Sequence, residues 1–218
     1  MSSYTGVVEQ GGPADVREVA GLRITKVCTP PFTNNCYLLR CTETGDTLLV
    51  DAAGDAPRLL ELVGDGKLVG VLETHGHWDH QQALAEVVAA TGAPVLAHAG
   101  DAADLPVPVD RLLADGDTVQ VGAATVSVVH LEGHTPGSLA VLYAGDARPH
   151  LFSGDSLFPG GPGNTEKDAS RFTSLMDDLE RKVFGQLPDD TWVYPGHGVD
   201  TTLGAERPSL PEWRERGW

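Results

Sequence analysis

Residues 74–80 read Thr-His-Gly-His-Trp-Asp-His, which gathers three histidines and an aspartate within six positions. The stretch falls where an apolar run, Val69–Thr74, reads as a strand and gives way to a helical pattern over Asp79–Thr91. In α/β sheets, ligands collect at the carboxyl ends of strands, so the position suits a site. Along extended chain, residues i and i+2 point to the same side. His75 and His77 can therefore converge on one metal ion, and the turn into the helix lets Asp79 and His80 face a second point. Imidazole nitrogen and carboxylate oxygen together suit zinc, iron or manganese. The motif lacks cysteine, which argues against a thiolate-bound structural ion.

Four residues do not complete two coordination shells, and further donors stand at other strand ends. His134 lies in Gly133-His134-Thr135-Pro136-Gly137 after a strand ending at Leu131. Asp155 lies in Ser153-Gly154-Asp155-Ser156, and His197 in Pro195-Gly196-His197-Gly198 after a strand ending at Tyr194. Each occupies a Gly- or Pro-rich loop just past a strand, where a shared site would form. His130 and His150 lack this setting and read as ordinary structural histidines. His98 ends a strand and could lie near the site. The cysteines, Cys28, Cys36 and Cys41, read as small buried hydrophobes.

The elements that must position these donors follow from period and punctuation. Strands are expected at Leu22–Cys28, Cys36–Cys41, Thr47–Ala52, Val69–Thr74, Pro94–His98, Thr118–Val121, Ala124–Leu131, Ser138–Tyr143, His150–Ser153 and Thr191–Tyr194. Helices are expected at Pro57–Val63, Asp79–Thr91, Ser170–Phe184 and Glu206–Gly217. Ala83, Leu84, Val87 and Val88 share one face of the second helix, and Gly92 would stop it. Phe172, Leu175, Met176, Leu179 and Val183 form one stripe on the third. Strands and helices mixed in this way indicate an α/β fold. Residues 1–20 read as a polar lead-in, and 21–218 as a single domain.

The chain has 218 residues, 41% of them apolar, and a formal net charge of −16. Such a charge disfavours nucleic acid and anionic membrane surfaces as partners. No apolar stretch reaches the ~18 residues a membrane span needs. Met1–Pro13 is polar and lacks an apolar signal region. An odd, small set of cysteines without CxxC fits a reducing, cytoplasmic setting.

The motifs THxHxDH, GHTPGS, SGDSLF and PGHG, in this order and with Asn35-Cys36-Tyr37 ahead of them, resemble the signature of the metallo-β-lactamase superfamily. The resemblance spans roughly residues 20–207 and implies a four-layer αβ/βα sandwich with a dinuclear site at one edge. By motif, His75, His77 and His134 resemble the ligands of one ion, Asp79, His80 and His197 those of the other, and Asp155 the bridging carboxylate. Asp51 resembles a family aspartate that orients a ligand. Within the superfamily the chain is similar to the glyoxalase II-like (hydroxyacylglutathione hydrolase-like) branch. That similarity implies two divalent ions, zinc first and iron or manganese as alternatives, and a small thioester or ester as substrate. A hydroxide bridging the ions would be the nucleophile, with Asp79 orienting it. A persulfide dioxygenase using one iron, a lactonase or other ester hydrolase, and a metal-binding scaffold are the competing readings.

Two departures bear on the substrate. The chain stops soon after His197, where larger glyoxalase II enzymes continue into a helical region that helps bind glutathione. Gly163-Asn164-Thr165 stands where the branch often has Gly-Arg-Thr. A carrier thiol other than glutathione is therefore open. The tryptophans of the tail, Trp213 and Trp218, are expected to pack against the body.

Overall fold

The computed structural model describes residues 4–217. Its first sheet has seven strands in sequence order: β1 (Asp15–Val19), β2 (Leu22–Thr29), β3 (Asn34–Cys41), β4 (Thr47–Val50), β5 (Leu68–Leu72), β6 (Val95–His98) and β7 (Arg111–Leu113). The first four pair antiparallel, and β4 to β7 pair parallel. Helices α1 (Ala56–Val63) and α2 (Leu84–Thr91) supply crossovers for the parallel half, as parallel neighbours require. The second sheet contains β8 (Thr118–Val121), β9 (Ala124–His130), β10 (Leu139–Tyr143) and β11 (His150–Gly154). A small hairpin, β12 (Leu157–Phe158) with β13 (Gly161–Pro162), then leads to α3 (Ala169–Asp178), which runs on as a wide turn through Phe184. β14 (Trp192–Pro195) pairs parallel with β11, and β15 (Thr201–Thr202) closes that edge. The chain ends in α4 (Leu203–Glu206) and α5 (Leu210–Arg216).

Alternation along the strands builds the layers. In β3, Tyr37 and Leu39 enter the core between the sheets, while Cys36 and Leu38 enter the core under α1 and α2. Ile24, Leu48 and Leu72 of the first sheet meet Val126, Val141 and Phe152 of the second. On the outer face of the second sheet, Ala140, Leu151 and Val193 pack on Phe172, Leu175, Met176 and Trp213. Three cores thus separate four layers, helix–sheet–sheet–helix, which is the sandwich expected. Both faces of the first sheet are covered, so β4 is buried at every position and β3 at all but Arg40, while β2 alternates at its start and is buried from Lys26 on.

Some local expectations need correction. No helix begins at Asp79. Trp78–His80 make a single 3-10 turn, and α2 starts at Leu84. The backbone between is diverted: Ala83 donates its N–H to Ala52 O, just past β4, at 2.9 Å, and the Gln81 side chain donates to Gly76 O at 2.7 Å. The C-terminal helix is broken into α4, a 3-10 turn at Arg207–Ser209, and α5, because Pro208 and Pro211 cannot donate to a continuous ladder. Part of the polar lead-in, Asp15–Val19, is β1 and pairs with β2 over five residues. Trp213 is buried; Trp218 lies outside the described residues.

Candidate metal centre

Every donor singled out at a strand end arrives at one edge of the sandwich. The turn after β5 brings His75 Nε2 within 3.1 Å of His77 Nδ1, and the loop after β9 brings His134 Nε2 within 3.0 Å of that same nitrogen. The ligand atoms of His75, His77 and His134 all lie within 4.8 Å of one another, and so do those of Asp79, His80 and His197. His80 Nε2 and His197 Nε2 are 3.0 Å apart, with Asp79 Oδ2 3.7 and 3.5 Å from them. Asp155, in the turn after β11, lies between the triads. Its Oδ1 is 3.5 Å from His80 Nε2, and its Oδ2 is 3.4 Å from His197 Nε2 and 3.7 Å from His134 Nε2. Gly196 makes this approach possible: a Cβ there would sit 2.1 Å from Asp155 Oδ1.

The outward ring nitrogens are fixed by hydrogen bonds that turn the other nitrogens inward. His134 Nδ1 donates to Asn164 O at 2.7 Å, and His197 Nδ1 donates to Phe32 O at 3.1 Å. His80 Nδ1 donates to Asp51 Oδ2 at 3.0 Å. Thr74 Oγ1 donates to the same oxygen at 2.8 Å and can then accept from His75 Nδ1 at 3.0 Å. Asp51 Oδ1 also accepts from Thr74 N at 2.6 Å. One buried carboxylate therefore sets the ring orientation of a histidine in each triad, a common arrangement around bound metals. Asp51 does so from a left-handed backbone, φ 58°, a conformation that aspartate tolerates better than most residues at some cost in strain.

The electrostatics call for a cation. Burial holds His75 and His134 below the ordinary histidine range. Burial acts the same way on His80, yet Asp155 and Asp51 raise it well above that range. His197 is likewise raised by Asp155 against its own burial. Asp155 is held well below the usual carboxylate range although it is buried, mainly by His80 and His197. Buried carboxylates are thus balanced by protons on imidazoles, the positive charge a metal ion would replace. Asp155 Oδ1 is also buried without a hydrogen-bond partner, and the Nε2 atoms of His80 and His197 face one another at 3.0 Å. The donor set fits divalent cations with nitrogen and oxygen ligands.

Sequence reasoning missed two residues here. Asn34 donates from Nδ2 to Asp79 Oδ2 at 2.9 Å; it directly precedes the Asn-Cys-Tyr motif, which was the available signal. Asp101, 1% exposed, accepts from Gly76 N at 2.9 Å, Thr135 Oγ1 at 2.5 Å and Gly137 N at 2.7 Å. It clamps the loop carrying His75 and His77 to the loop carrying His134. Nothing in its local sequence marks it among 31 acidic residues. The remaining histidines stand apart from the donors. His98 and His130 stack at 4.1 Å, and buried His150 bonds Tyr194 Oη at 2.8 Å and Asp146 at 3.2 Å.

Comparison with known proteins agrees with this geometry. Hydroxyacylglutathione hydrolase of Fuscovulum blasticum is 40% identical over 167 residues, covering 75% of this chain; the match spans 62% of that enzyme's length. Among solved structures, TTHA1623 in a di-iron-bound form is 33% identical with a TM-score of 0.72, covering 86% of this chain and 98% of its own. ETHE1 from Myxococcus xanthus is 29% identical with a TM-score of 0.77, covering 88% and 84%. The family model described as the metallo-beta-lactamase superfamily matches residues 29–197, which include every donor named above. The chain belongs to the metallo-beta-lactamase superfamily.

Proposed function

We propose that the chain is a dinuclear metallo-hydrolase that cleaves a small thioester, with simple esters as the next candidates. The observation that carries this reading is the placement of Asp155, whose two oxygens reach both histidine triads. The similarity to a hydroxyacylglutathione hydrolase supports the thioester. In this reading His75, His77 and His134 hold one ion, Asp79, His80 and His197 hold the other, and Asp155 lies against both. Bound divalent ions, zinc first and iron or manganese as alternatives, would supply Lewis acidity toward the carbonyl oxygen and a water whose pKa falls to about 7.

The protein's own groups then do the positioning. Asp79 orients the attacking water, and Asn34 Nδ2 pins the carboxylate by its Oδ2. Asp51 and Thr74 keep the His80 and His75 rings turned inward. No serine or cysteine nucleophile is required, and Cys36, buried with its thiol pushed up to about 12, is unsuited to the part. Among the described residues no helix is long and apolar enough to cross a membrane. Three free, buried cysteines accord with the reducing, cytoplasmic setting that this reading assumes.

The test joins elemental analysis of the purified chain to turnover of a panel that includes hydroxyacyl-glutathione and thioesters of other small thiols. The expected result is about two ions per chain and hydrolysis that Asp155→Ala abolishes together with metal binding. About one iron per chain, with oxygen-dependent consumption of a persulfide and no thioester turnover, would replace this reading with the persulfide dioxygenase.

A further inference from the structure

His197 reaches the metal centre from an irregular loop, the connection between β14 and β15. The backbone on both sides of it is held. Gly196 N donates to Gly154 O at 2.8 Å, and Gly196 O accepts from Asn35 N at 2.7 Å. Gly198 O accepts twice, from Asn35 Nδ2 at 3.0 Å and from Lys26 Nζ at 2.8 Å.

Lys26 is the unexpected partner. It stands in β2 with its side chain 0% exposed, and lysines are almost never enclosed in this way unless paired. An ammonium has three protons to donate, and each finds an acceptor: Gly198 O, Asp200 Oδ1 at 2.6 Å and Gly6 O at 2.8 Å. Asp200, three residues after His197, is equally enclosed. Its other oxygen accepts from Tyr4 Oη at 2.7 Å and from Trp192 Nε1 at 2.8 Å. Burial and the Asp200 charge push the Tyr4 hydroxyl well above its usual range, so it remains a donor. The Arg17 guanidinium lies 4.2 Å from the Tyr4 ring and 3.9 Å from that of Trp192. Gly6 runs so close to Asp200 that a Cβ there would come within 2.7 Å of the carboxylate. Residues 4–6 are thus strapped to the His197 loop through one lysine and one aspartate.

A buried ion pair is a poor device for stability alone, because apolar side chains of the same volume often serve as well or better. What this pair supplies and apolar packing does not is direction. It fixes the carbonyl next to His197 and the residue that ends the loop. We propose that Lys26, Asp200 and Tyr4 are positioning residues for His197, which hold its imidazole in register with Asp79 and His80. This rests on the reading above for the ion at that triad. The two halves of the centre then have separate supports: Asp101 for the loops of His75, His77 and His134, and the Lys26–Asp200 pair with its amino-terminal strap for His197.

The experiment titrates metal-free wild type, Lys26→Met and Tyr4→Phe with cobalt(II) against a chelator. The absorption of each ion is followed, and His134→Ala and His197→Ala assign each band to its triad. Amide hydrogen exchange of the metal-free proteins is measured beside it. In Lys26→Met the ion of the Asp79–His80–His197 triad is expected to bind about tenfold more weakly, with the affinity of the other ion unchanged within error. Exchange is expected to quicken at residues 196–200 and not at 75–80 or 132–137. Tyr4→Phe leaves the Lys26–Asp200 pair in place and is expected to show the same pattern to a smaller degree; it decides on the same readouts if Lys26→Met does not fold. Asp101→Asn acts on the other triad and is expected to reverse the order in which the ions weaken. Where wild type binds two ions, equal weakening of both in Lys26→Met, or wild-type affinity for both, would overturn the proposal. A wild type that binds a single ion would refute the two-ion reading, and exchange of the metal-free chain then decides this proposal alone. Faster exchange confined to residues 196–200 would sustain it, and unchanged or chain-wide exchange would overturn it.

Discussion

Asp101→Asn is the most informative single change outside the donor set. The carboxylate is 1% exposed, and its two oxygens accept from Gly76 N, Thr135 Oγ1 and Gly137 N at 2.5–2.9 Å. An amide has one accepting atom. If Oδ1 stays on Gly137 N, the new Nδ2 faces the Gly76 amide donor, and Thr135 Oγ1 must turn toward Ser138 Oγ at 2.6 Å. The result is the buried Gly76 N–H without an acceptor, the Thr135 bond lost and the Gly137 bond weakened by loss of the acceptor's charge. A cost of about 2–4 kcal/mol follows. For a chain of 218 residues that corresponds to roughly 5–15 °C in melting temperature. Because Asp101 ties the loop of His75 and His77 to that of His134, metal affinity should fall at this triad before the other. Thermal melts and metal titration of the variant would show both effects, with Asp104→Asn on the same loop, exposed, as a control expected within about 0.5 kcal/mol of wild type. A melting temperature unchanged within error, with wild-type metal affinity, would refute the clamp.

Three further outcomes follow. Lys26→Met should cost about 3–5 kcal/mol in denaturant unfolding, because Lys26 Nζ, fully buried, bonds Asp200 Oδ1 at 2.6 Å and the carbonyls of Gly6 and Gly198; wild-type stability in this variant would contradict that role. Asp51→Asn should lower metal affinity by about 10–100-fold, since it removes the acceptor shared by His80 and Thr74, and unchanged competition against a chelator would refute it. Metal-stripped protein should be most stable near pH 6.5, the ordinary histidine value. His80 and His197 are raised in the folded state, so the stability they contribute is full below that value and is lost as pH rises through their folded values. His75, His134 and Asp155 are lowered, so their contributions are lost as pH falls through theirs. Melting temperatures that climb steadily from pH 6.5 to 9 would contradict this balance.

What the chain spells out locally could be read from it. The alternation of β2, the apolar centres of β3 and β4 and the stripe of α3 follow from period, and the strand-end positions of His75, His77, Asp79, His80, His134, Asp155 and His197 follow from Gly and Pro punctuation. Features that depend on distant partners could not be read. Asp101 acts on Thr135 and Gly137, more than thirty positions away. The start of α2 is set by Ala52 O, which takes the Ala83 N–H. β1 is a short, partly exposed strand whose polar sequence resembles a lead-in, and only pairing with β2 defines it. The Phe32 and Trp78 rings meet edge to face from two loops 46 residues apart in sequence, so neither motif announced the contact.

The dinuclear assignment is tested most directly by elemental analysis of the purified chain beside Asp155→Ala. Asp155 adjoins both triads, so wild type should carry about two divalent ions per chain and the variant should lose both affinity and thioester turnover together. One ion per chain in wild type, or two retained in an active Asp155→Ala protein, would contradict it.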